Sequence, residues 1–119
     1  ADHEITPNGS RKLLSFSIEQ NGELLNRKVL HDFGEERGID GMALSPNGEI
    51  YATAGSGKHA GIYVFSHEGD LLRFIPIPGD PTNCTFGRGK NQWTLYVTAQ
   101  APRDEIIRSY ALYELDLIE

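Results

Sequence analysis

Apolar residues in this chain come in short alternating runs, each closed by a turn. Leu13, Leu14, Phe16 and Ile18 make the first run and Leu24 to Leu30 the second, with Gln20-Asn21-Gly22 between them. Asn-Gly between two such runs predicts a hairpin. Residues 31–38 (HDFGEERG) read as a charged loop. Four more strands are predicted at Gly41 to Leu44, Ile50 to Ala54, Gly61 to Phe65 and Leu71 to Ile75. They are separated by Ser45-Pro46-Asn47-Gly48, by the Gly-rich stretch 55–60 and by His67-Glu68-Gly69-Asp70. Prolines 76, 78 and 81 predict a break, because proline brings no N–H to a central ladder. No stretch of a dozen residues carries apolar side chains at helical spacing, so the expected fold class is all-β.

The pattern then restarts. Thr82-Asn83-Cys84-Thr85-Phe86 answers Ile39-Asp40-Gly41-Met42-Ala43, and Thr94 to Ala99 answers Glu49 to Ala54. Tyr110-Ala111-Leu112-Tyr113 answers Ile62-Tyr63-Val64-Phe65, as Leu14-Ser15-Phe16 does on the other side. Asp40 and Asn83 are 43 residues apart, and Tyr51 and Tyr96 are 45 apart. A four-strand antiparallel unit recurring every 40–50 residues or so is the mark of a β-propeller blade. The expected division is a partial blade over 1–38, a complete blade over 39–80, and a last blade over 81–119 that lacks its closing strand. About two and a half blades leave apolar faces open at both ends of the stack. The chain is therefore expected to be completed by the rest of its polypeptide, by a complementing chain or by a second copy.

Composition narrows the function classes. The 119 residues carry 17 acidic against 11 basic side chains, a net charge of −6. Without a basic stripe, a nucleic-acid coat is excluded. No apolar run approaches the ~18 residues of a membrane span, so no membrane partner is expected. The single cysteine rules out an internal disulfide and a thiolate zinc site, and suits a cytoplasmic setting over a periplasmic one. The chain begins with Ala1, and no charged-then-apolar leader follows, which points to a processed chain or one cut from something longer.

Several segments together carry a resemblance: Gly38-Ile39-Asp40-Gly41-Met42-Ala43-Leu44, Asn47-Gly48-Glu49-Ile50-Tyr51, Gly61 to Phe65, Pro81-Thr82-Asn83-Cys84-Thr85-Phe86-Gly87, and Leu95-Tyr96-Val97-Thr98-Ala99. From about residue 11 to 117 the chain resembles the C-terminal half of the gluconolactonase/regucalcin (senescence marker protein) family. The resemblance implies a six-bladed propeller with one divalent metal at the top of its channel. It also implies hydrolysis of sugar lactones or related cyclic esters. Asp40 matches the family's metal-ligating aspartate and candidate general base, although Ile39 stands where the family usually has proline. Asn83 matches a channel-facing position of the last blade. The family's other two ligands, a glutamate and an asparagine, would fall upstream of Ala1, and Asp2 would belong to the incomplete first blade.

The chemistry suits those residue types. Hard cations take oxygen ligands, with Ca²⁺ accepting six to eight, and Ca²⁺ is the first expectation ahead of Zn²⁺, Mg²⁺ or Mn²⁺. On the residues alone, Asp40 reads as well as a turn residue before a glycine, and Asn83 as a turn cap. Lys58 and His59 lie in a Gly-rich loop that would border the channel entrance and meet an acidic product. That loop lacks the full phosphate-binding motif, and no helix follows it. Cys84 reads as a small buried hydrophobe, and Glu35-Glu36-Arg37 as a solvated loop. The four histidines share no metal-ligand spacing. The competing reading is a non-catalytic propeller fragment that serves as a binding or assembly module.

Overall fold

The computed structural model describes residues 1, 2, 4, 6, 8–101 and 109–117. Nine strands run through them: β1 (Lys12–Ile18), β2 (Leu24–Asp32), β3 (Met42–Leu44), β4 (Ile50–Ala54), β5 (Gly61–Phe65), β6 (Leu71–Pro76), β7 (Asp80–Phe86), β8 (Thr94–Gln100) and β9 (Tyr110–Asp116). They form three antiparallel meanders: β1-β2, then β3-β4-β5-β6, then β7-β8-β9. These are propeller blades, stacked face to face and not closed into a ring.

The central strands β4 and β5 of the middle sheet are buried on both faces, and the period of two along them decides which side chain goes where. Tyr51, Ile62 and Val64 pack with Cys84, Leu95, Val97 and Ala99 of the third sheet. Ala52, Ala54 and Phe65 pack with Leu13, Phe33 and Ile39 on the side of the first. Burying a side chain of this size contributes ~1.5–3 kcal/mol, so the two-sided β4-β5 ribbon anchors the stack.

The turns follow one recipe. In Ser45–Gly48 and Ser66–Gly69 the serine carbonyl accepts the glycine N–H at 3.0 Å, and its Oγ accepts the next residue's N–H at 3.0 and 3.1 Å. Both glycines sit in the left-handed region, with φ of +85° and +97°, where a Cβ would be strained.

Two prolines depart from the expected break. Pro76 ends β6, at the sheet edge opposite Gly61, and Pro81 lies inside β7 where the register shifts between Pro81 and Asn83. At an edge or a bulge the missing N–H leaves no ladder partner stranded. The Gly-rich stretch also contains a single 3₁₀ turn, Gly57–His59.

Candidate functional site

Asp40 and Gly41 precede β3, and Thr53 of β4 holds both. The Asp40 N–H donates to the Thr53 carbonyl at 3.0 Å, and the Thr53 N–H donates to the Gly41 carbonyl at 2.8 Å. The fully buried Thr53 hydroxyl accepts the Gly41 N–H at 2.9 Å and faces the Gly41 carbonyl at the same distance. The backbone under Asp40 is thus fixed from one side, while its carboxylate stays half exposed.

The carboxylate is held by a residue that the sequence reading left in a solvated loop. Arg37 Nη2 donates to Asp40 Oδ2 at 3.2 Å, and Nη1 donates to the Gly55 carbonyl at 3.2 Å. The Gly55 N–H returns to the Arg37 carbonyl at 2.8 Å. Arg37 therefore grips the end of β4 with backbone and side chain together, and only 20% of its side chain is exposed. The available signal was an arginine three residues before the aspartate.

Asn83 lies on β7, the first strand of the third sheet, with its side chain exposed and its Oδ1 accepting the Cys84 N–H at 2.9 Å. A Cβ added to Gly41 would overlap the Asn83 amide and come within 2.9 Å of its Cα. Gly41 is therefore the residue that lets these two sheet edges meet. Asn83 also borders an open depression of about 220 Å³, lined further by Cys84, Thr85, Tyr96, Thr98 and Leu112.

Lys58 and His59 are both exposed on the 3₁₀ turn. His59 Nε2 is 3.7 Å from Glu36 Oε1, and its carbonyl accepts the Tyr63 hydroxyl at 2.7 Å. Burial, and secondarily the Glu36 charge, hold the Tyr63 phenol above its ordinary range, so it stays a neutral donor there. Gly55 joins this loop to the Arg37–Asp40 pair, because a Cβ there would overlap the His59 carbonyl. Cys84 is buried, with its thiol pushed up to about 11 by desolvation. His67 is solvated at the opposite turn.

Among the described residues, no three His, Cys, Asp or Glu side chains converge on one point. Asp40 and Asn83 offer a carboxylate and an amide oxygen, the donor chemistry of a hard cation, but as part of a coordination shell.

A family model described as the SMP-30/Gluconolactonase/LRE-like region matches residues 7–101, from the first turn to the end of β8. The chain belongs to this family. A gluconolactonase of Zymomonas mobilis is 36% identical over 93 residues, covering 71% of this chain and 24% of the relative. The chain thus spans about a quarter of the length of that curated relative. The stretch matched to the SMP-30/gluconolactonase family includes Asp40, Lys58, His59 and Asn83. No helix among the described residues is long and apolar enough to cross a membrane.

Proposed function

We propose that this chain is a section of a metal-dependent hydrolase of sugar lactones or related cyclic esters, active when further strands complete the propeller. The observation that carries the reading is that the family match spans both Asp40 and Asn83, whose sheet edges touch through Gly41. Asp40 and Asn83 would hold one divalent cation, Ca²⁺ foremost, together with oxygens from elsewhere in the complete protein. When bound, such an ion polarises an ester carbonyl and acidifies water.

The chain's own part in the reaction is to hold groups in place and to move one proton. Asp40 accepts a proton from the water that attacks the lactone carbonyl, as a carboxylate within hydrogen-bond reach does. The acyl C–O bond breaks, the ring oxygen takes that proton back from Asp40 and leaves as a hydroxyl, and a hydroxy acid results. Thr53 and Arg37 keep Asp40 in place through this exchange. Lys58 and His59, on the loop linked to Arg37 through Gly55, meet the carboxylate of the product.

Completion of the ring accounts for the open faces. Met42 and Leu44 on β3 are 46% and 67% exposed, and Tyr110 and Leu112 on β9 are 73% and 69% exposed. A groove of about 460 Å³ runs between β1 and β3, bordered by Leu13, Leu14, Met42 and Leu44. Covering such surfaces with strands of the same polypeptide, a complementing chain or a second copy is favourable by the hydrophobic effect. A second reading is a non-catalytic assembly module, for which the same open faces would be the docking surfaces.

The test is hydrolysis of D-glucono-1,5-lactone by the natural polypeptide carrying this sequence, followed as acid release above the spontaneous rate. A rate that EDTA abolishes and Ca²⁺ restores supports the hydrolase. No rate above background with any of Ca²⁺, Zn²⁺, Mg²⁺ or Mn²⁺ favours the module.

A further inference from the structure

We infer that Arg37 is a specificity-determining positioning residue that rations the oxygens of Asp40 and so sets the discrimination between Ca²⁺ and Mg²⁺. The inference rests on the reading of Asp40 as a cation ligand. Arg37 Nη2 sits on Oδ2 of Asp40, and among the described residues no other hydrogen bond reaches that carboxylate. Oδ1 is therefore the oxygen left for a cation.

The arrangement is not a loose surface pair. Three contacts fix Arg37: Nη1 to the Gly55 carbonyl, its own carbonyl to the Gly55 N–H, and Nη2 to Asp40. The Gly55 backbone is in turn packed on the His59 carbonyl, and the Asp40 backbone is tied to Thr53. Arg37 cannot turn away without giving up its bond to the Gly55 carbonyl, and the Asp40 backbone beneath the carboxylate is fixed.

The two cations use carboxylates differently. Ca²⁺ accepts one or both oxygens of a carboxylate in a flexible shell, whereas Mg²⁺ demands near-octahedral geometry and keeps its waters. Confining Asp40 to one oxygen penalises Ca²⁺ more than Mg²⁺. The guanidinium also repels either ion. Removing Arg37 should strengthen binding of both ions and favour Ca²⁺ further.

The experiment is calorimetric titration of Ca²⁺ and of Mg²⁺ into the natural polypeptide, the Arg37→Met variant and the Asp40→Asn variant, with a thermal melt of each. Arg37→Met is expected to raise Ca²⁺ affinity roughly tenfold, as for removal of a water-screened unit charge about 6 Å from a divalent ion, and to raise Mg²⁺ affinity less. If that variant fails to fold, Arg37→Lys, which keeps the charge but loses the planar fork, is expected to shift the Ca²⁺ preference in the same direction by a smaller factor. Unchanged affinities, or an equal loss for both ions, would overturn the inference. Asp40→Asn separates the two failures. If it binds Ca²⁺ like the parent, or if the parent takes up no Ca²⁺, the reading of Asp40 falls and this inference with it. If Asp40→Asn loses Ca²⁺ while the Arg37 variants leave the preference untouched, only the inference about Arg37 falls.

Discussion

Gly41 and Asn83, 42 residues apart in sequence, lie in such close contact that a single methyl group at Gly41 would overlap the asparagine amide. The contact joins the inner edge of the middle sheet to that of the third, one residue from Asp40. Because a Cβ would meet the Asn83 backbone as well as its side chain, rotation of the asparagine alone cannot relieve it. Gly41→Ala is expected to cost ~1–3 kcal/mol, the usual penalty for overpacking. Urea unfolding checks this, and an unchanged midpoint would mean that the sheets slide apart freely.

Thr53 is the second support of Asp40. Thr53→Val keeps the shape but leaves the Gly41 N–H, now bonded to the Thr53 hydroxyl at 2.9 Å, without its acceptor. A fully buried orphaned donor costs ~1–3 kcal/mol, and for this part-buried one the lower end is expected. Thr53→Ser, which keeps the hydroxyl, is expected to retain most of the stability. The same urea series reads both variants.

Cys84 packs in the interface between the middle and third sheets, its Sγ 3.5 Å from the Tyr51 carbonyl. With the thiol pushed up to about 11 by burial, almost none is thiolate at pH 8. Since the thiolate is the reactive form, labelling by a disulfide reagent is expected to be slow in the folded protein and fast in denaturant. Prompt labelling under native conditions would show that the two sheets open.

His31 meets Phe33 edge-on and Phe65 at a tilt, at ring-centroid distances of 4.6 and 5.0 Å. Burial lowers its pKa, outweighing the neighbouring Asp32 charge, which raises it. The unfolded chain then binds the proton more readily than the folded one. Stability from this group is complete above its unfolded value of ~6.5 and is lost as pH falls through the lower folded value. Thermal melts between pH 7.5 and 5 are expected to show a declining midpoint that His31→Gln flattens.

Much of the fold was legible because the turns announce themselves. The Ser-Pro-Asn-Gly and Ser-His-Glu-Gly stretches became matching Ser-to-Gly turns, and the strands between them alternate as expected. Pro81 was misleading: proline does enter a strand when it sits at a bulge, and one sequence does not reveal a bulge. Asp40 and Asn83 were singled out as candidates by their repeat spacing and family resemblance. Arg37 was not, because the contact that turns it inward is the Gly55 backbone 18 residues on, and nothing in a run of charged residues says which one folds inward. The contact between Gly41 and Asn83 was hidden for a related reason, since it depends on how closely two sheets approach.

The central claim is that Asp40 works in lactone hydrolysis, and the most direct measurement is turnover of D-glucono-1,5-lactone by the natural polypeptide with Asp40→Asn, at saturating Ca²⁺. The substitution keeps size and shape while removing the charge and the proton acceptor. The account predicts a loss of at least about a hundredfold, the lower end of what a positioned general base supplies, with a melting temperature unchanged in the absence of metal. Turnover equal to that of the parent would contradict it.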